Sequence, residues 1–138
     1  MRSTLLGFAV ADKVPDMQAR DRELHAVAAI LHDLSWDTNG LFVSADKRFE
    51  VDSAIAAQDF VEKHIAKHAA GDSEWSKYRL QLLWDAIALH TTPSIGFFKE
   101  VEVKATGLRI LLDFVGVAGA PPGTLSQLEW DAIVAEYP

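Results

Sequence analysis

The run Leu24-His25-Ala26-Val27-Ala28-Ala29-Ile30-Leu31-His32-Asp33-Leu34 decides how this chain folds. Leu24, Val27, Ala28, Leu31 and Leu34 follow the i, i+3, i+4 rhythm that gathers apolar side chains on one face of an α-helix. At the end of that stretch His32 and Asp33 stand side by side. Withdrawing an unpartnered carboxylate from water is expensive, roughly 2–7 kcal/mol even for a neutral polar group, so something must satisfy Asp33. A divalent metal is one candidate, because neutral imidazole and carboxylate suit zinc, iron or manganese. The plainer alternative is a helix-end pair in which the two side chains bond to backbone or to each other.

Outward from this run the same rhythm continues. Val51, Ala54, Ile55, Gln58, Val61 and Ile65 repeat it. Residues 80–89 are apolar nearly all round, as in a helix buried on most sides. Residues 101–115 form a second apolar segment, whose length and Lys104-Ala105-Thr106 favour helix over strand. Pro121-Pro122-Gly123 followed by Thr124-Leu125-Ser126-Gln127 has the form of a capping box opening a last helix. The pattern predicts helices at 2–12, 17–34, 49–70, 75–90, 98–115 and 125–136, with gaps at 13–16, 37–40, 71–73 and 92–94. No alternating run of strand length recurs and no internal repeat is present. The expectation is a single all-α domain over residues 1–138, a bundle of about six helices.

Composition bounds the function. A chain of 138 residues is one domain's worth of core, and 49% hydrophobic content makes it globular. It has no cysteine, which excludes a disulfide scaffold, a thiol nucleophile and any cysteine-ligated metal. The formal net charge of -7 argues against nucleic acid or an anionic membrane as partner. No apolar run approaches the ~20 residues of a membrane span. The apolar start is at the short end of a signal peptide's ~7–15 residues and is followed at once by charges, so a short helix and a cytoplasmic protein are expected. The expected partner is a small-molecule substrate; a homo-oligomer is compatible with the same surface.

Polar residues inside apolar helices then become the question. Asp85 lies in Leu82-Leu83-Trp84-Asp85-Ala86-Ile87, and Asp113 in Ile110-Leu111-Leu112-Asp113-Phe114-Val115. Each needs a partner, and Arg79 and Arg109 are available. With Asp33, His32 and His90 also at helix ends, convergence on one polar site is the stronger expectation, since bundle-core metal sites draw ligands from several helices. His64 and His68 have metal spacing, but Glu62, Lys63 and Lys67 mark a solvated face. His25 reads as structural.

These segments together resemble the HD-domain superfamily of metal-dependent hydrolases, and within it the cyanamide hydratase-like branch. Arg2-Ser3-Thr4-Leu5-Leu6-Gly7 is similar to its first helix, and Ala29-Ile30-Leu31-His32-Asp33-Leu34 to its signature dyad. Phe49-Glu50 resembles the start of its next helix, Ala86-Ile87-Ala88-Leu89-His90 its active-site helix, and Leu112-Asp113-Phe114-Val115-Gly116 the segment with its last aspartate. The resemblance implies a divalent metal, zinc by preference, held by His32, Asp33 and Asp113. It implies Asp33, Asp113 and His90 as catalytic residues and Phe49, Glu50, Asp85, His90 and Thr91 around the substrate. The implied reaction is hydration of a small nitrile-like carbon. HD-type phosphoester hydrolysis and a non-catalytic helical module are the alternatives. The family uses a fourth ligand, a first-helix histidine, whose place would lie upstream of Met1-Arg2; no histidine precedes His25. The expectation is an N-terminally short domain that holds metal weakly and hydrates poorly.

Overall fold

The computed structural model describes residues 2–68 and 74–138. Its helices are α1 (Arg2–Ala11), α2 (Arg22–Leu31), α3 (Phe49–His68), α4 (Lys77–Ala88), α5 (Pro93–Gly96), α6 (Val101–Val115) and α7 (Gln127–Glu136), with 3-10 turns at Pro15–Met17 and Gly116–Gly119. No strand occurs among the described residues, so the all-α expectation holds. The expected end of the third helix at 69–70 and the gap at 71–73 lie outside the described residues. No helix among the described residues is long and apolar enough to cross a membrane.

The boundaries are set by capping. Helix α2 starts at Arg22 rather than at 17 because the Asp21 carboxylate accepts the Leu24 N–H at 2.9 Å, which satisfies one of the N–H groups that a helix start leaves unpaired. Just before it, buried Arg20 donates to His25 Nδ1 at 2.8 Å, to the Met17 carbonyl at 3.0 Å and to Asp12 at 2.7 Å, holding residues 17–20 out of the helix. Ser76 caps α4 through the Arg79 N–H. The capping box of α7 is Ser126 with Glu129, not Thr124 with Gln127, so that helix opens two residues later than expected. Thr124 Oγ1 instead donates to the Pro121 carbonyl at 2.7 Å. Pro93, at the first helical position where its missing N–H costs nothing, seeds the unexpected short helix α5.

Helix α6 is the shared wall of two apolar cores. Its Val103 joins Leu24, Ala28, Ala54, Val61, Leu83 and Ile87 in the core made by α2, α3 and α4. Its Leu108 and Leu112 join Leu6, Val10 and Leu125 in the second core, against α1 and α7. Helix α1 packs mainly on α6, α3 on α4, and α4 on α6. The α1–α6 approach depends on Gly7: a Cβ built there would lie 2.6 Å from Arg109 Cβ. Gly116 ends α6 at φ +65°, a conformation in which L side chains are strained. The polar residues gather at the ends of α2 and α4 and along the middle of α6.

Candidate metal centre

Helix α2 stops at Leu31, so His32 occupies its C-cap and Asp33 the turn beyond. Helix α4 stops at Ala88 and places His90 two residues past its end. The two imidazoles meet edge to face with ring centroids 5.0 Å apart. His32 Nδ1 lies 3.1 Å from the Ala29 carbonyl, and His90 Nδ1 lies 2.6 Å from the Ile87 carbonyl. A carbonyl only accepts, so each Nδ1 carries the proton, and in the neutral ring each Nε2 presents its lone pair. Both lone pairs face one carboxylate: His32 Nε2 is 2.7 Å from Asp33 Oδ2, and His90 Nε2 is 3.9 Å from Asp33 Oδ1.

This arrangement asks for a cation. A carboxylate oxygen also only accepts, so a neutral His32 and an ionised Asp33 at 2.7 Å would set lone pair against lone pair. A second proton on His32 resolves the conflict, and so does a metal ion. One ligand atom from each of His32, Asp33 and His90 lies within 4.8 Å of the other two. Atoms on one zinc at ~2.0–2.2 Å are separated by at most about twice that length; the two separations to Asp33, 2.7 and 3.9 Å, fall inside that limit, so a slight closing of the set would suit a divalent ion. Two imidazoles and one carboxylate also form the donor set of non-haem iron sites. The carbonyl bonds at Nδ1 are the outer contacts that fix tautomer and ring orientation at such centres.

Electrostatics follow burial. The His90 side chain is 2% exposed and that of Asp33 46% exposed, so the cluster is sealed on one side and open on the other. Burial pushes the His90 imidazole below its ordinary pKa; the Ile87 carbonyl and Asp33 oppose this, while His32 and Arg109 add to it. Burial raises the Asp33 carboxyl, but the bond to His32 and the charges of His32, His90 and Arg109 outweigh it and hold Asp33 below the usual carboxylate range.

The residues expected around the substrate divide into two groups. Phe49 lies edge-on to His90 at 5.8 Å, and Trp36 lies edge-on to Phe49 at 5.0 Å. Thr91 Oγ1 donates to buried Glu50, which also pairs with Arg48, so the start of α3 is tied to the segment carrying His90. Beside His90 and Thr91 opens a hollow of about 240 Å³ with apolar walls from Phe97, Ile110, Leu111 and Phe114. A larger hollow of about 410 Å³, walled by Leu31, Leu34, Ile55 and Phe60, touches neither histidine. Asp85 stands apart: it accepts from Gln81 at 2.9 Å and pairs with Lys99 at 2.8 Å.

Asp113 is not in the three-residue group. Its Oδ1 accepts from Arg2 Nε at 2.5 Å, and the position expected of it beside His32 and Asp33 is taken by His90. Neither Asp85 nor Asp113 found the arginine that sequence offered: Arg79 pairs with Asp21 and Glu23. Arg109 is instead fully buried in α6, within electrostatic reach of Asp33 and Asp113. Burial pushes its pKa down to about 10 against the pull of both carboxylates, so it remains a cation at neutral pH. Sequence offered one signal for it, a charged residue in the apolar run of α6. His64 is exposed, as expected, and His25 is buried, stacked on Phe8 at 4.5 Å. Comparisons with protein-family models, with curated proteins and with solved structures find no match for this chain.

Proposed function

We propose that this chain is a metal-dependent lyase of the HD-domain type, adding water to a small nitrile-like carbon, with His32, Asp33 and His90 as the metal ligands. One observation carries the reading: two imidazoles from different helices, each tied at Nδ1 to a carbonyl, aim Nε2 at the same carboxylate. A bound divalent ion would lower the pKa of water toward ~7 and so provide the nucleophile at neutral pH. His32 and His90 contribute neutral donors, and Asp33 contributes the anionic one. The solvent-open side of Asp33 is where water and substrate would meet. In this reading its carboxylate would take a proton from the attacking water and return it to the nitrile nitrogen. Addition forms one C–O bond, breaks one C–N π bond and moves one proton from oxygen to nitrogen, giving the imidic acid (isourea from cyanamide). Moving the second proton from oxygen to nitrogen then exchanges the C=N π bond for a C=O π bond and gives the amide or urea. The apolar hollow beside His90 would take the remainder of the substrate.

Phosphoester hydrolysis is less well served, because it needs cations that meet phosphate charge. Arg79 and Lys99 are committed to carboxylates elsewhere and Arg48 to Glu50, while Arg109, though within electrostatic reach of Asp33, has no solvent exposure. The test is turnover of cyanamide and short aliphatic nitriles by the full chain, after EDTA treatment and after zinc, iron(II) or manganese is restored. Metal-dependent formation of urea or amide is expected. Metal loading without hydration, or faster release of p-nitrophenol from its phosphate ester, would overturn the lyase reading; a chain that takes up no metal would be a non-catalytic module.

A further inference from the structure

Helix α6 buries Val103, Ala105, Leu108, Arg109 and Leu112 and leaves its opposite face half-buried or exposed. On that face Gly107, Ile110, Leu111 and Phe114 follow the i, i+3, i+4, i+7 spacing of one helical stripe. Phe114 is 84% exposed and stands out as a knob. Gly107 has no side chain, and with Ile110, Leu111, Pro93 and Phe97 it lines the hollow of about 240 Å³ beside His90. One helix face thus carries both a knob and a hole.

The bare surface is large enough to matter. Phe97, Leu111, Phe114 and Val115, with Ile95 and Phe98 of the adjoining segment, expose roughly 600 Å² of apolar surface, counting about 150–250 Å² for a whole phenylalanine. The largest apolar patch of a typical monomer is about 300–600 Å², and each partner in the smaller stable interfaces contributes about 600 Å². Charge does not oppose contact there. The charged residues between Gly107 and Val115 are Arg109, which is buried, and Asp113, which is held by Arg2. Two copies of this acidic chain can meet on the stripe without bringing like charges together.

We propose that α6 is the seam of a symmetric dimer, in which Phe114 of each copy enters the hollow over Gly107 of the other. Gly107 and Phe114 lie equally far from the midpoint between Ile110 and Leu111, about 5 Å along the helix at 1.5 Å per residue. When two such helices run antiparallel about a twofold axis at that midpoint, each Phe114 faces the other copy's Gly107. Ile110 then packs on Leu111 between the two contacts, and the surface is complementary to itself. That symmetry is the reason to name a second copy of this chain as the occupant. A cavity of about 150 Å³ holds one benzene ring, so the hollow admits a phenyl group and keeps room for a small nitrile. The seam uses no metal ligand, so it stands whether or not the lyase reading does.

The test is analytical ultracentrifugation of the full chain over a wide range of concentration, in EDTA so that no metal bridges two copies. A reversible monomer–dimer equilibrium is expected. Phe114→Asp puts a charge on the knob, and the dissociation constant should rise at least about 100-fold. Its far-UV circular dichroism should match the wild type, because Phe114 is exposed and outside both cores. Phe114→Ala empties both holes and Gly107→Leu fills both, so each alone should pair weakly. Mixed one to one, they should pair more tightly than either does alone, since one knob and one hole survive in the mixed dimer. A wild-type chain that stays monomeric throughout the range overturns the proposal, whatever the variants do. So does a dimer that persists in Phe114→Asp, or a mixture of the two folded variants that pairs no better than its components. Zinc uptake and nitrile hydration, measured separately, report on the metal centre alone.

Discussion

His32 and His90 meet edge to face at 5.0 Å from the ends of two different helices, and both direct Nε2 at Asp33. If this trio is the ligand set, its members are unequal to every other acidic or imidazole group nearby. His32→Ala and His90→Ala should each weaken zinc binding beyond the about 100-fold that loss of an outer contact causes. Asp113→Asn should change zinc affinity by less than about threefold, because Asp113 is engaged with Arg2. Competition titration against a chromophoric chelator measures all three. A large loss in Asp113→Asn with none in His90→Ala would return the ligand position to the aspartate.

The buried His25 sets a pH dependence of stability. Burial, aided by the charges of Arg20 and Arg109, lowers its pKa from 6.5 to about 3. Between those values the unfolded chain binds a proton that the folded chain does not, so stability falls as pH drops through this window. From pH 7 to pH 5 the loss from His25 should be roughly 2 kcal/mol, with His90 acting in the same direction. Urea midpoints at the two pH values measure it. His25→Gln, which can still accept from Arg20, should start less stable but show a flatter dependence. An unchanged slope in that variant would place the titration elsewhere.

Gly7 marks where α1 and α6 come closest. A methyl there would sit 2.6 Å from Arg109 Cβ, a contact relieved only by moving one helix. Gly7→Ala should therefore cost about 1–3 kcal/mol, although alanine is the better helix former. Thermal melting of the two proteins checks this. Equal or higher stability in the variant would mean that the two helices pack less tightly than described.

Gly107 should respond in the opposite way. Its nearest neighbours for a new Cβ are Phe97 Cε1 at 3.7 Å and the His90 carbonyl at 3.8 Å, both ordinary contacts. Replacing glycine by alanine inside a helix gains roughly 0.5–1 kcal/mol, so Gly107→Ala should melt higher. The added methyl narrows the hollow beside His90, so on the proposed lyase reading KM for a bulky nitrile should rise while KM for cyanamide and zinc affinity stay unchanged. An equal KM change for both substrates would show that the hollow does not receive the substituent.

Local patterns were enough for the architecture. The i, i+3, i+4 spacing around Leu24 and Val61 identifies helix faces because burial of one stripe is a property of the segment itself. Capping was only partly readable. Ser126 and Thr124 both stand three residues before a residue with a suitable side chain, and only the path of the chain after Pro121 decides between them. Asp21 was not singled out as a cap because residues 17–20 carry no glycine or proline to break a helix, and only the tertiary bonds of Arg20 hold them out of it.

By itself the sequence determined that this is a cysteine-free, helical, acidic domain with His32 and Asp33 adjacent at a helix end. Covalent neighbourhood and helical periodicity suffice for that, because both act within a few residues. Tertiary structure alone decided which distant groups share the site. It brought His90 to Asp33, sent Asp113 to Arg2 and Asp85 to Lys99, and sealed Arg109 beneath α1. Charge pairing depends on which helix ends meet and how much water stays between them. Those are settled only when the two cores on either side of α6 pack together.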